Sequence, residues 1–168
     1  MSEALDGVLV VDMGGSVATT YCAKLFADYG ATVINLETAQ GFPTRQLRPF
    51  TKGPSCDSAM HGYLNADKKS VRLDFLSDSA VAKILSCADL VLSDGRADLP
   101  EELRLRMDIS WYGESGPYAD FIGTDAQCFA LNGMLRTIGH PEGPPLIPTG
   151  YQAQIVGGMT AFVGAMGQ

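Results

Sequence analysis

Apolar and polar positions in the first quarter of the chain predict a strand, a helix and a second strand. Residues 7–12 and 31–37 are short apolar runs rich in β-branched side chains, which is typical of buried strands. Between them, apolar residues recur at spacings of three and four over residues 17–29, and Gly30 follows as a helix stop. Residues 7–37 therefore predict the start of a parallel sheet with a helical crossover.

The same alternation continues through the rest of the chain. Further strands are predicted at residues 70–74, 89–93 and 107–112. Helices are predicted at residues 78–87, near Glu101, at residues 126–135 and at residues 152–167. Residues 38–63 contain three prolines and few periodic apolar positions, so they are predicted to form a long irregular surface segment. Strands alternating with helices indicate an α/β fold.

Composition and charge limit what the chain can be. Its 168 residues, 46% hydrophobic and 18% charged with a mean hydropathy of +0.07, predict one domain over residues 1–168. No apolar run approaches the roughly 20 residues that span a bilayer, and the N-terminus is acidic, so a cytoplasmic protein with no membrane segment is expected. The formal net charge of -7 argues against a nucleic-acid partner.

The spacing of cysteines and histidines predicts neither disulfides nor a metal site. The four cysteines are widely separated and form no CxxC pair, which favours free thiols. His61 and His140 have no Asp, Glu or Cys at a metal-ligand spacing. No bound metal is therefore expected.

Two polar features follow the predicted strands. The turn after the first strand contains Gly14 and Gly15, which could offer backbone N–H groups to a phosphate or simply permit a tight turn. The tight turn is favoured because neither GxGxxG nor GxxxxGKS spacing is present. Glu37 ends the second strand, where dinucleotide-binding domains use a carboxylate to bind ribose, but a solvated carboxylate is the favoured interpretation.

Five cations lie near predicted junctions of loops and strands. Arg45 and Arg48 are in the long loop, Lys68 and Lys69 precede the third strand, and Arg96 follows the fourth. Ligands of open parallel sheets bind beyond the carboxyl ends of strands, so the position of Arg96 suits a ligand crevice. The two lysines could instead be a solvated pair.

Several stretches together resemble the N-terminal part of the class III CoA-transferase family, over essentially all 168 residues. The matching stretches include residues 26–34, 68–71, 88–91 and 113–119, followed by Gly123 and Asp125. The resemblance implies a Rossmann-like, doubly wound domain that binds the CoA nucleotide, within two interlocked ring-shaped chains. Members of the family also have a second small domain and a returning C-terminal segment, and neither is found in these residues.

The resemblance also implies a chemical mechanism, and one residue departs from it. In the transferases an aspartate attacks the acyl thioester and forms a mixed anhydride before CoA attacks in turn. Aligning the last helix through Gly158 and Met159 places Gln154 at the aspartate's position. A neutral amide cannot form that anhydride, so the catalytic position is predicted to be non-nucleophilic.

The racemase branch of the family uses that aspartate with a histidine, and the histidine position here is Thr124. Both proton-transfer groups are therefore replaced. A shifted alignment would offer Asp120 or Asp125 as the carboxylate, but both are expected to lie apart from the last helix. Asp125 is instead expected to cap the helix that begins near Ala126.

The ligand implied by the resemblance is CoA or an acyl-CoA, with a small carboxylic acid as the other substrate. The positions assigned to CoA binding are Ala18, Arg45, Lys68, Lys69, Arg96 and Tyr112. Of the family's Asn-Phe-Arg-Pro run, only Arg96 remains, and Asp94 adds a negative charge where a polyanionic nucleotide would approach.

Small residues along residues 152–167 favour close packing of that helix against the chain's own sheet or against a second chain. A homo-oligomer or hetero-oligomer, such as a dimer formed through this helix, is expected.

The sequence thus supports two hypotheses: transfer of CoA between carboxylic acids with a partner chain, or a non-catalytic binding or scaffold subunit. A third, different reaction on a thioester would use Tyr112, Glu114 or Tyr151.

Overall fold

Five parallel strands form one sheet in the order β3-β2-β1-β4-β5. The computed structural model describes residues 3–53, 56–95 and 99–168. The strands are β1 (Leu9–Asp12), β2 (Thr32–Glu37), β3 (Lys69–Arg72), β4 (Leu90–Ser93) and β5 (Arg106–Asp108). The predicted α/β fold is confirmed. The order of strands reverses between β1 and β4, and in such sheets a crevice opens beyond the carboxyl ends of those two strands.

Helices pack on both faces of this sheet. They are α1 (Val17–Asp28), α2 (Ala59–Leu64), α3 (Asp78–Cys87), α4 (Asp125–Leu131) and α5 (Gln152–Met166). One core cluster joins α1 and α5 to one face, and the other joins α3 to the opposite face. Hydroxyl side chains of the N-cap residues cap α1, α2, α3 and α4. The N-cap residue of α5 is Tyr151, and its side chain makes no capping hydrogen bond.

Two predictions about local structure were wrong. Residues 38–63 are not irregular throughout, because they contain a 3-10 helix (Pro43–Gln46) and helix α2. Only Leu64 is buried in α2, so this helix has no apolar period to detect. No helix forms near Glu101 in the described residues. Leu99 is buried and the Leu105 carbonyl accepts a hydrogen bond from the Val91 N–H, so the chain is anchored to the sheet at both points without forming a helix.

Helix α5 packs closely against α1 of its own chain, whereas its small residues were expected to pack on the sheet or on a second chain. A Cβ atom at Gly158 would lie 2.5 Å from the Ala18 carbonyl oxygen, so the two helix backbones approach closely there. The Phe162 ring lies 4.8 Å from the Phe26 ring and 5.8 Å from the Tyr29 ring, between centroids. None of the described helices combines the length and apolar character needed to cross a membrane.

Candidate functional site

A cavity of about 1480 Å³ opens beyond the carboxyl ends of β1, β4 and β5, between the N-termini of α1 and α5. It lies where the strand order predicts a ligand crevice. Residues that line it include Gly14, Ser16, Ala18, Thr44, Asp94, Gly95, Trp111, Glu114, Phe129 and Gln154. The volume exceeds the few hundred to about 1,000 Å³ of most small-molecule pockets, so a long ligand can enter.

The glycine turn after β1 is built for tight geometry. The N–H groups of Gly14 and Gly15 donate to Asp12 Oδ1 at 3.0 and 3.4 Å. A Cβ at Gly14 would lie 2.6 Å from Thr19, and one at Gly15 would lie 2.5 Å from the Phe42 ring. These two amides are thus used within the chain, which supports the tight-turn interpretation over phosphate binding.

Glu37 is buried, so the interpretation of a solvated carboxylate was wrong. Its Oε2 accepts hydrogen bonds from Arg45 Nε at 2.7 Å and from the Phe42 N–H at 2.8 Å, and its Oε1 accepts from Arg45 Nη2 at 2.6 Å and from Ser70 Oγ at 2.5 Å. Burial alone would raise the pKa of Glu37, but these hydrogen bonds and the Arg45 charge hold the pKa at about 2.

Arg45, a predicted CoA-binding residue, does not line the cavity. Two of its guanidinium nitrogens bind Glu37, so it positions the loop around it. This loop buries Phe42 against Gly15 and places Thr44 in the cavity wall. Direct binding of CoA by Arg45 stays a prediction.

The two neighbouring lysines have different surroundings, and the solvated-pair alternative was wrong for the first of them. Lys68 Nζ donates to the Thr20 carbonyl at 2.8 Å and to Asn65 Oδ1 at 3.2 Å. Burial lowers the pKa of Lys68 to about 8, against the opposing charge of Asp12. Lys69 is exposed on edge strand β3. Neither lysine lines the cavity.

Of the remaining predicted CoA contacts, one lines the cavity and one does not. Ala18 lines the cavity at the first turn of α1. The Tyr112 ring lies 6.0 Å from that of Tyr118, between centroids, and outside the lining. Arg96 falls outside the described residues, although Gly95 beside it lines the cavity.

Gln154 lies at the first turn of α5, in the cavity wall, in direct contact with Asp125. Asp125 Oδ1 accepts hydrogen bonds from the N–H groups of Ala153 at 2.7 Å and Gln154 at 3.3 Å, and Oδ2 accepts from Gln154 Nε2 at 3.1 Å. Asp125 therefore caps α5 from a distance of 29 residues along the chain.

This contact corrects two expectations about Asp125. It does not lie apart from the last helix, and it is not the N-cap of α4, because Thr124 Oγ1 accepts from the Gln127 N–H in that role. The sequence signal that was missed is the absence of a capping side chain or an acidic residue at the start of α5. The orphan N–H groups of such a helix need another partner, and here a side chain from elsewhere in the fold supplies it.

The charge of the described lining is negative. Asp94, Glu114 and Asp120 line the cavity, and Lys and Arg side chains are absent from the part of the lining that the structure describes. The positive ends of two helix dipoles, at α1 and α5, are the favourable features for an anion, and Asp125 already neutralises the second. Aromatic and aliphatic side chains such as Trp111 and Phe129 make the rest of the wall suitable for an acyl chain.

Comparison with known proteins decides the family. A family model described as CoA-transferase family III matches residues 5–168. The chain belongs to CoA-transferase family III. The resemblance found in the sequence is thereby confirmed.

Curated relatives in the family are about 30% identical to this chain over the aligned residues. The (R)-2-hydroxy-4-methylpentanoate CoA-transferase of Clostridioides difficile is 31% identical over 153 residues, covering 80% of this chain and 38% of its own length. The formyl-CoA:oxalate CoA-transferase of Streptomyces avermitilis is 28% identical over 169 residues, covering 90% of this chain and 40% of its own length.

A solved structure supports the fold over the whole chain. A CAIB/BAIF family protein from Brucella suis superposes with a TM-score of 0.87 and 24% identity, covering 99% of this chain and 49% of that one. The Rossmann-like fold expected from the resemblance is confirmed. This family III chain spans less than half the length of these relatives.

Removing the cap on α5 is expected to destabilise the fold. Asp125→Ala deletes three hydrogen bonds at the helix N-terminus. We expect the free energy of unfolding to fall by about 1–2 kcal/mol, measured by urea denaturation. Asp120→Ala removes an exposed carboxylate from the same loop region and is the control. Equal effects of the two substitutions would contradict the capping role.

Proposed function

We propose that this chain binds CoA or an acyl-CoA in the cavity and takes part in CoA transfer between carboxylic acids, together with a partner chain. The observation that carries the proposal is the location of residue 154. It stands at the N-terminus of α5 on the wall of the cavity, in a chain that belongs to CoA-transferase family III. Relatives such as the formyl-CoA:oxalate CoA-transferase bear the name of this activity.

The cavity suits part of CoA better than the rest. Its volume of about 1480 Å³ and its apolar walls accommodate an acyl group and a pantetheine arm. The first turn of α1, at Val17 and Ala18, presents the positive end of a helix dipole to an anion. Arg96, which follows Gly95 in the sequence, is the cation proposed for the phosphates.

Gln154 favours a second candidate function, a non-catalytic binding or scaffold subunit. A carboxylate nucleophile would attack the thioester carbonyl, break the C–S bond, release CoA as a thiolate and leave a mixed anhydride. The Gln154 amide has no oxygen nucleophile of this kind, and its nitrogen donates to Asp125. Transfer in the unaltered chain would need a carboxylate from the partner.

The proposed partner binds the outer face of α5. The opposite face packs on α1, whereas Val156, Met159, Val163 and Met166 are between 49% and 70% exposed. Exposed apolar side chains aligned along one helix are typical of interaction surfaces. A second polypeptide or a second copy of this chain is proposed to cover this face.

Calorimetric titration with CoA and acetyl-CoA tests the proposal, after the mass of the particle in solution has been measured. We expect saturable binding that weakens at least tenfold, about 1.4 kcal/mol, in Arg96→Ala, because a phosphate contact is lost. Lys83→Ala removes an equal charge from the exposed surface of α3 and should bind like the unaltered chain. A folded chain that does not bind at millimolar CoA would exclude a self-sufficient CoA site.

Restoring the nucleophile separates the two candidate functions. If the rest of the machinery is intact, Gln154→Asp should raise CoA transfer from acetyl-CoA to a carboxylic acid at least about tenfold, measured by chromatography of the thioesters. Gln152→Asp adds the same charge one half-turn earlier and should remain inactive. Because Asp125 lies beside position 154, the pKa of the new carboxyl should be raised and activity should grow with pH. No gain over the Gln152→Asp control would favour the non-catalytic subunit.

A further inference from the structure

His61 joins a wall of the cavity to a buried polar network. Its Nδ1 lies 2.8 Å from Thr44 Oγ1 and 3.0 Å from Asn65 Nδ2. Thr44 is 1% exposed and lines the cavity, and Asn65 is the C-cap residue of α2. One ring nitrogen thus contacts both the wall loop and the end of α2.

The orientation of the Asn65 amide is determined by its other partners. Its Oδ1 accepts hydrogen bonds from Asn35 Nδ2 at 2.7 Å and from Lys68 Nζ at 3.2 Å. Its Nδ2 also donates to the His61 carbonyl at 3.0 Å. Rotating the amide by 180° would set NH₂ against two other donors, so Nδ2 must face the ring. His61 Nδ1 is therefore an acceptor, and the neutral ring carries its proton on Nε2.

The network continues from Asn65 under helix α1. Lys68 Nζ also donates to the Thr20 carbonyl, which belongs to α1. Asn35 and Asp12 are register partners in β2 and β1, and both are at most 1% exposed. The Asn65 amide consequently fastens α2 to the sheet through buried Asn35 and to α1 through Lys68.

We infer that His61 is a pH-sensitive latch, which in its neutral form fastens the cavity wall at Thr44 to the end of α2 and to the buried network, and opens that link when Nδ1 is protonated. A protonated Nδ1 is a donor that faces the NH₂ of Asn65. Thr44 can turn its hydroxyl to accept from the ring, but an amide nitrogen cannot accept. The ring and Asn65 must separate, so the wall at Thr44 loses its link through the ring to the end of α2, while Asn65 keeps its contacts with Asn35 and Lys68.

The groups around His61 oppose protonation on balance. Burial lowers the pKa of His61 most, and the positive charges of Arg45 and Lys68 lower it further, while Glu37 and Asp57 raise it. The pKa is therefore below its usual 6.5 in the folded chain. Because the unfolded chain takes up the proton first, the contribution to stability is complete above pH 6.5 and is lost as pH falls toward the folded pKa.

Unfolding in urea at pH 7.5 and pH 5.5 tests the latch, with His61→Asn as the decisive variant. An asparagine places its Oδ1 near the former Nδ1 and keeps an acceptor there, but it cannot be protonated. We expect the urea midpoint of the unaltered chain to fall in acid more than that of His61→Asn. His140→Asn, which removes the other of the two histidines, should behave like the unaltered chain. Asp12, whose pKa is raised by burial, is present in all three proteins, so its own pH dependence is common to them. An equal fall in all three would overturn the latch.

A second variant keeps the proposal testable if His61→Asn does not fold. Asn65→Asp places a carboxylate oxygen against Nδ1, so the protonated ring gains an acceptor and the pKa of His61 should rise above that of the unaltered chain. NMR titration in a His140→Asn background follows His61 alone, because the chain has only two histidines. A lowered or unchanged pKa in the Asn65→Asp chain would overturn the latch. The rise tests the contact between His61 Nδ1 and residue 65 on which the latch depends.

Hydrogen exchange locates the release within the fold. The Leu47 N–H donates to the Thr44 carbonyl, and the Asn65 N–H donates to the His61 carbonyl. After correction for intrinsic rates, both amides should lose protection between pH 7.5 and pH 5.5, and His61→Asn should retain it. Loss of protection that is identical in both proteins would contradict the proposal.

Discussion

Gly158→Ala is expected to lower the free energy of unfolding by about 2–3 kcal/mol, although alanine is the better helix former. A Cβ at this position would lie 2.5 Å from the Ala18 carbonyl oxygen and 3.1 Å from the Cys22 nitrogen. Both atoms belong to the backbone of α1, so neither can move aside without shifting the helix. The substitution would therefore separate α5 from α1 and loosen the packing of Phe162.

The neighbouring Gly157 supplies a matched control, because its substitution by alanine is expected to raise the free energy of unfolding. A Cβ at Gly157 would meet nothing nearer than Ile109 Cγ2 at 3.8 Å, which is an ordinary contact. Gly157→Ala should therefore gain up to about 1 kcal/mol from helix propensity alone. Urea denaturation of the two variants measures the difference. Equal stabilisation by both would show that the backbones of α1 and α5 do not approach as closely as the structure has them.

Glu37→Gln is expected to cost roughly 3 kcal/mol of stability at pH 7, which is the equivalent of lowering a pKa from 4.5 to about 2. The side chain is 1% exposed, and its charge is bound by Arg45 and Ser70. A neutral amide keeps the shape and loses the charge-assisted hydrogen bonds. Arg45 is 45% exposed and can be solvated, so the loss is not increased by an isolated buried cation.

The pH dependence of stability provides a second test of the role of Glu37. Because the folded pKa is below the unfolded value, the contribution of Glu37 is present above pH 4.5 and is lost as pH falls toward 2. The unaltered chain should therefore lose stability between pH 5 and pH 2.5 more steeply than Glu37→Gln in urea denaturation. Parallel curves would contradict the assigned pKa, and Glu114→Gln, at an exposed carboxylate, is the control.

Local patterns were sufficient for most of the sheet. The prediction of strands at residues 7–12, 31–37 and 89–93 succeeded because fully buried parallel strands are continuous apolar runs. Helices α1 and α3 were recovered because each has a serine cap and an apolar face. Helix α2 was missed because its partner is a polar network and only one of its residues is buried.

The candidate site was harder to predict because its contacts are long-range. The interpretation of Glu37 and Lys68 as solvated failed, since their partners Ser70 and Thr20 lie 33 and 48 residues away. Charge type is visible in a sequence, but burial is not. From sequence alone, the burial of a Glu or Lys side chain is predicted from the average for its residue type, and most Glu and Lys side chains are exposed.

Family membership, the α/β fold and the amide at position 154 are properties of the chain's order of residues, and they could be read without coordinates. The partners of that amide could not. Asp125 reaches the start of α5 because α4 packs beside α5, which brings residues 29 apart into hydrogen-bonding distance. Periodicity reports the few neighbours along a helix or strand, whereas caps, buried ion pairs and cavity walls depend on how those elements pack.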